Sequence, residues 1–321
     1  MNKKELNIVY SFDDGYCQHG GVSLMSLLDN NKDVSVINIY VIDGGISAEN
    51  RSRLTKIAET YNRKLEFVDL DVLVSSMKVA TSFSKSAYGR IFISDYLDCD
   101  LIFYLDSDTV VSGSLMPLLD LWNGVYVLGG VQDTVNPYYL YTIGHDDSDR
   151  YINSGGVLVF NAKKWRDERY TDKCVDFIEK WGGCPPHNDQ GTLNAVCRGN
   201  IMILPAAYNV MPPMFKFTAS QLVELFKMNT YYSDEELSSA VANPVVIHYT
   251  EEFFTCPWFS NCTHPLRSRY LHYLSLSPWR NAVLPFHPLS TNCRIQNAVK
   301  HYLPFYFYKL MVRFITWKHR K

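Results

Sequence analysis

The sequence predicts an α/β protein with a Rossmann-like, mostly parallel sheet that is flanked by helices. Two observations support this prediction. Short apolar runs alternate with segments of helical periodicity, and such alternation is typical of βαβ units, whose strands pair in parallel. The chain has 321 residues, of which 47% are hydrophobic, so it is long and apolar enough to bury a large core.

The first half of the chain supplies four predicted strands and three predicted helices. Each strand is a mainly apolar run that is too short for a comfortable helix. The helix after Ser47 is favoured by the capping hydroxyl of this serine and by one apolar face. The strands are 6–12, 34–42, 64–70 and 101–105, and the helices lie near 19–28, after 47 and near 88–97.

The second half continues the pattern and then changes character. Further strands are predicted at 125–131, 156–160 and 244–249, and a helix is predicted from Ala162 to about Lys180. Frequent proline, histidine and aromatic residues between 260 and 294 indicate irregular structure or short helices. We place a domain boundary at the compositional break near 253, so that residues 1–252 form the body and residues 253–321 a basic, aromatic C-terminal extension.

The extension differs from the body in its charge. The net charge is only −2, but ten of the 31 basic residues and none of the 33 acidic residues lie beyond Glu252. This asymmetry predicts that the extension meets something anionic. Because residues 302–317 are mostly apolar and aromatic, we expect them to lie in the headgroup layer of an anionic membrane. The alternative is that they pack on the body or form an oligomer contact.

Targeting features favour the cytoplasm. The eight cysteines are scattered, without the spacing of a zinc site or a disulfide framework, as expected of reduced cytosolic thiols. The amino-terminal segment reaches acidic residues before any long apolar stretch, which argues against a signal peptide. No apolar run is long enough to span a bilayer. We therefore expect a cytoplasmic protein that is peripheral on the cytoplasmic face of the membrane.

Two acids follow directly after the apolar strand 101–105, namely Asp106 and Asp108, with Ser107 between them. Open α/β sheets hold their ligands at the carboxyl ends of the strands, and residues two apart on an extended chain face the same side. Two carboxylates this close repel each other unless a cation lies between them. The motif therefore predicts a site for a divalent cation such as Mn²⁺ or Mg²⁺.

The same motif has two other interpretations. Asp and Ser are common in strand-end turns. LDSDTVV also resembles the haloacid-dehalogenase-like phosphatases, which place a nucleophilic aspartate on the first strand and need a downstream lysine followed by an acidic pair. Here about three strands come first, and the pair Asp146–Asp147 precedes Lys163. The order of the motifs disfavours a phosphatase.

Other polar residues at strand ends and helix starts are candidates for the same site. His248 lies at the end of the strand 244–249, and an imidazole beside two carboxylates favours Mn²⁺ over Mg²⁺. A lone histidine is otherwise commonly a hydrogen-bonded core residue. The remaining candidates have the alternatives of an Asx turn, a solvated arginine and a helix cap. They are Asp13 and Tyr16 for a uracil base, Arg90 for a phosphate or sugar hydroxyl, Asn153 for hydroxyl recognition, and Asp189 with Gln190 at a predicted helix start.

Together these residues resemble glycosyltransferase family 8, the retaining enzymes of the GT-A fold. The likeness covers residues 7 to about 260 and rests on seven motifs in order, which are YSFDDGY, IDGGIS, YGR, YLDSDTVV, NSGGVLVFNAKKW, NDQGTLN and IHY. The resemblance implies that Mn²⁺, held by Asp106, Asp108 and His248, binds the diphosphate of a UDP-sugar. It further implies nucleotide contacts from Ser11, Asp13, Tyr16 and Ser107, donor-sugar contacts from Arg90, Asn153, Asp189 and Gln190, and catalysis by Gln190 or by Asp189 as the competing nucleophile.

The chain departs from the family pattern beside the metal histidine. The family usually reads His-x-x-Gly-x-x-Lys-Pro-Trp, whereas this chain reads HYTEEFFTCPW, with Cys256 where a lysine would touch the diphosphate. Ser82 and Gly15 also replace larger polar residues. These differences leave the identity of the donor sugar open.

The sequence thus predicts a retaining hexosyltransferase that moves galactose or glucose from a UDP-sugar to a surface glycan on a lipid or protein. Nucleic acid is not an expected partner. The alternative, prompted by Cys256, is a catalytically weakened subunit that binds a sugar nucleotide or a glycan.

Overall fold

The computed structural model describes residues 5–77, 84–135, 137–146, 148–288, 294–295, 298, 302 and 304–310. Nine strands occur within these residues: β1 (Glu5–Phe12), β2 (Val36–Asp43), β3 (Leu65–Asp69), β4 (Leu101–Leu105), β5 (Thr109–Val111), β6 (Leu128–Gly130), β7 (Val157–Asn161), β8 (Ile201–Ile203) and β9 (Val246–His248).

Seven of the strands form one twisted central sheet in the order β3-β2-β1-β4-β7-β6-β8. Its pairings are parallel except at β7, which is antiparallel to both β4 and β6. The predicted α/β class with a mostly parallel, Rossmann-like sheet is therefore confirmed, and the first four predicted strands lie close to their observed bounds.

The prediction that 244–249 forms the last strand of the core sheet is wrong in two respects. The strand β9 is shorter, and it pairs antiparallel with β5 in a separate two-stranded sheet. The sequence did not indicate β5, because its three residues follow the acidic motif without a break. This small sheet sets His248 opposite Thr109, and so brings the histidine beside the acidic motif.

Helices cover both faces of the central sheet. They are α1 (Cys17–Asn30), α2 (Ala48–Thr60), α3 (Leu70–Leu73), α4 (Lys85–Tyr96), α5 (Met116–Leu121), α6 (Pro137–Thr142), α7 (Ala162–Asp167), α8 (Tyr170–Lys180), α9 (Asn188–Val196), α10 (Ala219–Phe226), α11 (Asp234–Ala242) and α12 (Arg267–Leu276). Ser47 caps α2 as predicted, because its hydroxyl accepts a hydrogen bond from the Asn50 amide. The single helix predicted over 162–180 is two helices, since Arg169 has a left-handed backbone with φ of 56°.

The apolar strands are buried from both sides. Leu6, Ile8 and Tyr10 of β1 belong to the core on one face of the sheet, and Val9 belongs to the core on the other. Because adjacent strand residues point to opposite faces, a strand between two helical layers is apolar at most positions on both faces. This explains why the sheet strands have continuous rather than alternating apolar runs.

Part of the extension packs on the body. The Tyr273 hydroxyl of α12 accepts a hydrogen bond of 2.7 Å from Asn30 at the end of α1, and Trp258 lies with its ring centroid 4.2 Å from that of His19. The predicted boundary at 253 stays a prediction. Among the described residues, no helix combines the length and apolarity needed to cross a membrane. Residues 303 and 311–317 of the predicted membrane-binding segment 302–317 lie outside the described residues.

A buried histidine in the extension predicts a pH-dependent stability. The rings of Phe215, Tyr249 and Phe254 lie within 5.0 Å of the His264 ring, centroid to centroid. Burial, with a smaller effect from the positive charge of Lys216, lowers the pKa of His264 to about 4. The unfolded chain, with a histidine pKa near ~6.5, then binds more protons between these two values, so the free energy of unfolding falls as pH falls through this window.

We expect the protein to lose about 1–2 kcal/mol of stability between pH 7 and pH 5 through His264 alone. Urea unfolding of the wild type and of His264→Gln at both pH values measures this loss, and the variant should lose less. The exposed His272→Gln serves as the control for removal of a histidine. Equal pH dependence in His264→Gln and the wild type would contradict the burial argument.

Candidate functional site

The structure brings Asp106, Asp108 and His248 into one cluster. One ligand atom from each residue lies within 4.8 Å of the other two. The acids follow β4 at the carboxyl edge of the parallel strands, and the antiparallel pairing of β5 with β9 holds the histidine beside them. A hydrogen bond of 3.0 Å from the Tyr249 amide to the Asp108 carbonyl oxygen fixes the same register.

The charges in the cluster balance through proton sharing. Burial disfavours both ionised forms, but the pairing of His248 Nε2 with Asp108 Oδ1 at 3.3 Å outweighs it. The pKa of Asp108 is therefore lowered and that of His248 is raised. Burial raises the pKa of Asp106, with Arg90 acting in the opposite direction. A cation that binds here would compete with a proton for His248, so cation binding should weaken as pH falls.

The donor set fits a divalent cation. Two carboxylates and one imidazole suit Mn²⁺ better than Mg²⁺, and the Nδ1 atom of His248 is buried with no hydrogen-bond partner among the described residues. Gly155 leaves the space open between these ligands. A Cβ atom at Gly155 would lie only 2.8 Å from Asp106 Oδ2 and 2.8 Å from His248 Cε1.

A buried arginine joins the acidic cluster to the next acid along the site. Arg90 on α4 donates to Asp106 Oδ1 at 3.1 Å, and its Nε lies 3.6 Å from Asp189 Oδ2. It also donates to the Ser154 carbonyl oxygen, and its guanidinium lies 4.3 Å from the centroid of the Tyr104 ring. Burial opposes the positive charge, but the surrounding carboxylates raise the pKa of Arg90. The guanidinium is therefore a fixed cation inside the site, and the solvated arginine considered from the sequence is not what the structure contains.

Asp189 and Gln190 lie in the first turn of α9, whose cap is His187. The helix starts tightly, since His187 and Asn188 both have left-handed backbones. Ser154 holds both site residues, because its hydroxyl donates to Asp189 Oδ2 at 2.9 Å and its amide donates to Gln190 Oε1 at 3.2 Å. The two residues are thus buried and oriented toward the loop that carries Gly155.

Two residues that the sequence analysis missed complete this side of the site. Asp133 Oδ2 accepts hydrogen bonds from Gln190 Nε2 at 2.7 Å and from Asn153 Nδ2 at 3.0 Å. Asn209 donates to the Gly155 carbonyl oxygen at 2.9 Å and to Asn153 Oδ1 at 3.3 Å. Asp133 lies shortly after β6. The reasoning from strand ends that selected Asp13 would therefore also have selected Asp133. Nothing in the local sequence marked Asn209.

A cavity opens at the carboxyl ends of β1, β2 and β3. Asp13, Asp43, Arg51, Asp69 and Lys85 are among the residues that line it. Ser11 is buried, and its hydroxyl donates to the Ser86 carbonyl oxygen at 2.6 Å, so it supports the wall of the cavity. Asp13 and Tyr16 are exposed, and Ser107 is buried between the two acids of the cluster.

Tyr16 links the cavity to the cluster through its surroundings. Partial burial, followed by the negative charges of Asp108 and Asp13, raises the pKa of Tyr16. Tyr16 is therefore close to an acid of the cluster and to an acid of the cavity wall.

Cys256 takes no visible part in the site. Its side chain is buried and its thiol donates to the Tyr249 carbonyl oxygen at 3.5 Å. Burial, followed by the charges of Glu251 and Asp108, raises the pKa of the thiol. The residue is therefore a neutral core group and supplies no positive charge.

Comparison with known proteins gives a consistent result. Residues 7–262 match the family described as Glycosyl transferase family 8. General stress protein A of Bacillus subtilis is 29% identical over 87% of this chain and 96% of its own length. The lipopolysaccharide 1,2-glucosyltransferase of Escherichia coli K12 is 26% identical over 86% of this chain and 79% of its own length. The crystal structure of the galactosyltransferase LgtC with donor and acceptor sugar analogs is similar with a TM-score of 0.70 and 25% identity, covering 87% of this chain and 100% of that chain.

The gap at Gly155 predicts that a single methyl group disrupts cation binding. Gly155→Ala should weaken Mn²⁺ binding by about tenfold or more, because the added Cβ pushes Asp106 and His248 apart. Gly113→Ala is the matched control, since its Cβ would meet Val245 at an ordinary contact of 3.5 Å. Calorimetric titration with Mn²⁺ measures the difference, and equal affinities in the two variants would contradict the assignment.

Proposed function

Because the chain belongs to glycosyltransferase family 8, we propose that this glycosyltransferase is a retaining hexosyltransferase that uses a UDP-sugar and Mn²⁺. One observation carries the proposal. Arg90 joins the Asp106–Asp108–His248 cluster to Asp189, which is buried beside Gln190, and Tyr16 lies near both Asp108 of the cluster and Asp13 of the cavity wall. A nucleoside in the cavity, a diphosphate at the cluster and a hexose at α9 match the order of groups in a UDP-hexose.

The donor sugar is galactose or glucose. Among the relatives, one is named a glucosyltransferase and the other a galactosyltransferase, so both sugars occur among proteins similar to this chain. Discrimination between such epimers depends on one or two hydroxyl contacts. Asn153 and Asp133 are the polar residues that offer such contacts beside Gln190.

Each residue has a separate task in the proposed reaction. Asp106, Asp108 and His248 would hold the cation, which would stabilise the negative charge that develops on the leaving diphosphate. Asp13 would accept the N3–H of the uracil base, and Tyr16 would stack against it. The positive charge of Arg90 reduces the repulsion between the carboxylates of Asp106 and Asp189, and its contacts hold both carboxylates in place.

The reacting sugar would face α9. Gln190 is held through both ends of its amide, with Nε2 donating to Asp133 and Oε1 accepting from Ser154. This fixed carbonyl dipole would stabilise the positive charge on the anomeric carbon. Asp189 already contacts Arg90 and Ser154, so we favour same-face attack by the acceptor over a covalent intermediate on Asp189.

A catalytically weakened binding subunit is the second candidate. Cys256 favours it, because the lysine implied by the family pattern is replaced by a neutral buried thiol. The two candidates differ in whether UDP is released from a UDP-sugar. The family match does not favour the phosphatase interpretation.

The acceptor would be a surface glycan on a lipid or protein at the cytoplasmic face of a membrane.

Residues 305–310 are helical and have two faces. Phe305 and Tyr308 pack against Phe217, and Lys309 pairs with Glu224. Exposed aromatic and apolar side chains on the other face are Tyr306, Phe307 and Leu310. The body therefore holds one face of this helix, and the other is available to an anionic membrane.

Release of UDP from UDP-sugars tests the proposed activity. With Mn²⁺, we expect release from UDP-galactose or UDP-glucose above a no-enzyme control. Asp108→Asn should reduce the rate about 100-fold or more, because the cluster loses a ligand charge. The exposed Asp98→Asn is the matched control. No release from any UDP-sugar would favour the binding subunit, and full activity in Asp108→Asn would contradict the metal site.

Sedimentation with anionic liposomes tests the extension. Phe307→Ser combined with Leu310→Ser should reduce the bound fraction at low salt without changing the packed face of the helix. Leu121→Ser combined with Val125→Ser, two exposed apolar residues elsewhere on the protein, is the control. If wild type stays in the supernatant at low salt, the extension is not a membrane anchor.

A further inference from the structure

We infer that His19 donates a hydrogen bond from Nε2 to the leaving diphosphate of the donor. This rests on the proposed function, and it assigns a role to a residue outside the motifs discussed above. His19 lies in the first turn of α1, directly after the segment that carries Asp13 and Tyr16. It thus stands at the start of a helix that faces the acidic cluster.

Hydrogen bonds on the far side of the ring set its tautomer. The Tyr270 hydroxyl lies 2.7 Å from His19 Nδ1, and it accepts a hydrogen bond of 3.1 Å from Gln18 Nε2. A phenol has one proton to donate. Gln18 fills one acceptor position of the phenol oxygen, and we assign the hydroxyl proton to the contact with Nδ1, so that the neutral imidazole carries its own proton on Nε2.

The ring is held by aromatic neighbours, with Nε2 directed away from the Tyr270 hydroxyl that contacts Nδ1. Trp258 packs on it with a centroid distance of 4.2 Å, and the Tyr16 ring lies 5.7 Å away on the edge. Asp108 is close enough for its charge to act on the pKa of His19, against the larger effect of burial, which lowers that pKa to about 4. Among the described residues, none forms a hydrogen bond with Nε2.

Within the part of the chain that the structure describes, the position where the family pattern has a lysine supplies no donor to the leaving group. The family resemblance implies a lysine at the position of Cys256, and the thiol there points to the Tyr249 carbonyl oxygen instead. Arg90 is committed to Asp106 and Asp189. The extension, which carries the cysteine, also supplies Trp258 and Tyr270, and these two residues fix His19. A neutral N–H donor thereby takes the place of a lysine without adding a charge.

Nucleotides that differ in one phosphate isolate this contact. His19→Phe keeps a ring against Trp258 but removes the donor, and His19→Gln keeps an N–H in nearly the same place. In calorimetric titrations with Mn²⁺, His19→Phe should bind UDP about tenfold more weakly than the wild type. It should bind UMP, which lacks the second phosphate, with unchanged affinity, and His19→Gln should recover most of the UDP affinity.

Tyr273→Phe is the matched control, because it removes a hydrogen bond of 2.7 Å between α1 and α12 at the end of α1 remote from His19. It should bind both nucleotides as the wild type does. Equal UDP affinity in His19→Phe and wild type would overturn the inference, as would an equal loss of UDP and UMP. A wild type that binds neither nucleotide with Mn²⁺ would instead overturn the proposed function.

Discussion

The buried guanidinium of Arg90 is the interaction on which the candidate site depends. Four carboxylates, from Asp106, Asp108, Asp133 and Asp189, are gathered at one edge of the sheet, and a protein interior tolerates such charges only when they are paired. Arg90 contacts two of them and the Ser154 carbonyl oxygen. Removing it would leave Asp106 and Asp189 without their ion pairs, so we expect a loss of stability as well as of the site.

The backbone around Ser154 transmits this arrangement. Ser154 contacts Arg90, Asp189 and Gln190. Gly155 has no side chain that would collide with Asp106 and His248 of the acidic cluster. Gly156 has a left-handed backbone with φ of 79°, and a Cβ there would collide with Asn209. The two glycines therefore serve different purposes, one for the cluster and one for the polar support behind it.

Much of this organisation followed from the sequence, because strands and strand ends have local signatures. The apolar runs placed β1 to β4, and the acidic motif after β4 predicted the cluster. The partner of β9 did not follow, because pairing depends on tertiary contacts that a short apolar run does not encode. The break at Arg169 was also missed. The contacts of Asn209 and His19 were missed because each is with a residue distant in the chain. Asp133 was within reach of the strand-end argument.

The extension illustrates a second limit of sequence reasoning. Its composition indicated a surface that meets an anionic partner, yet it gave no sign that Trp258 and Tyr270 contact a ring beside the metal cluster. The basic C-terminal extension therefore also contributes side chains that contact His19. The boundary near 253 marks a change in composition, and the packing across it is close.

The most direct test of the account is magnetic resonance of Mn²⁺ bound to the protein together with UDP. Hyperfine couplings report which nuclei lie beside the ion. If Asp106, Asp108 and His248 hold Mn²⁺ beside the diphosphate, we expect a nitrogen coupling that disappears in His248→Ala. We also expect a phosphorus coupling from the diphosphate in the same complex. A bound Mn²⁺ with neither coupling would contradict the central claim that Asp106, Asp108 and His248 form the cation site for the donor.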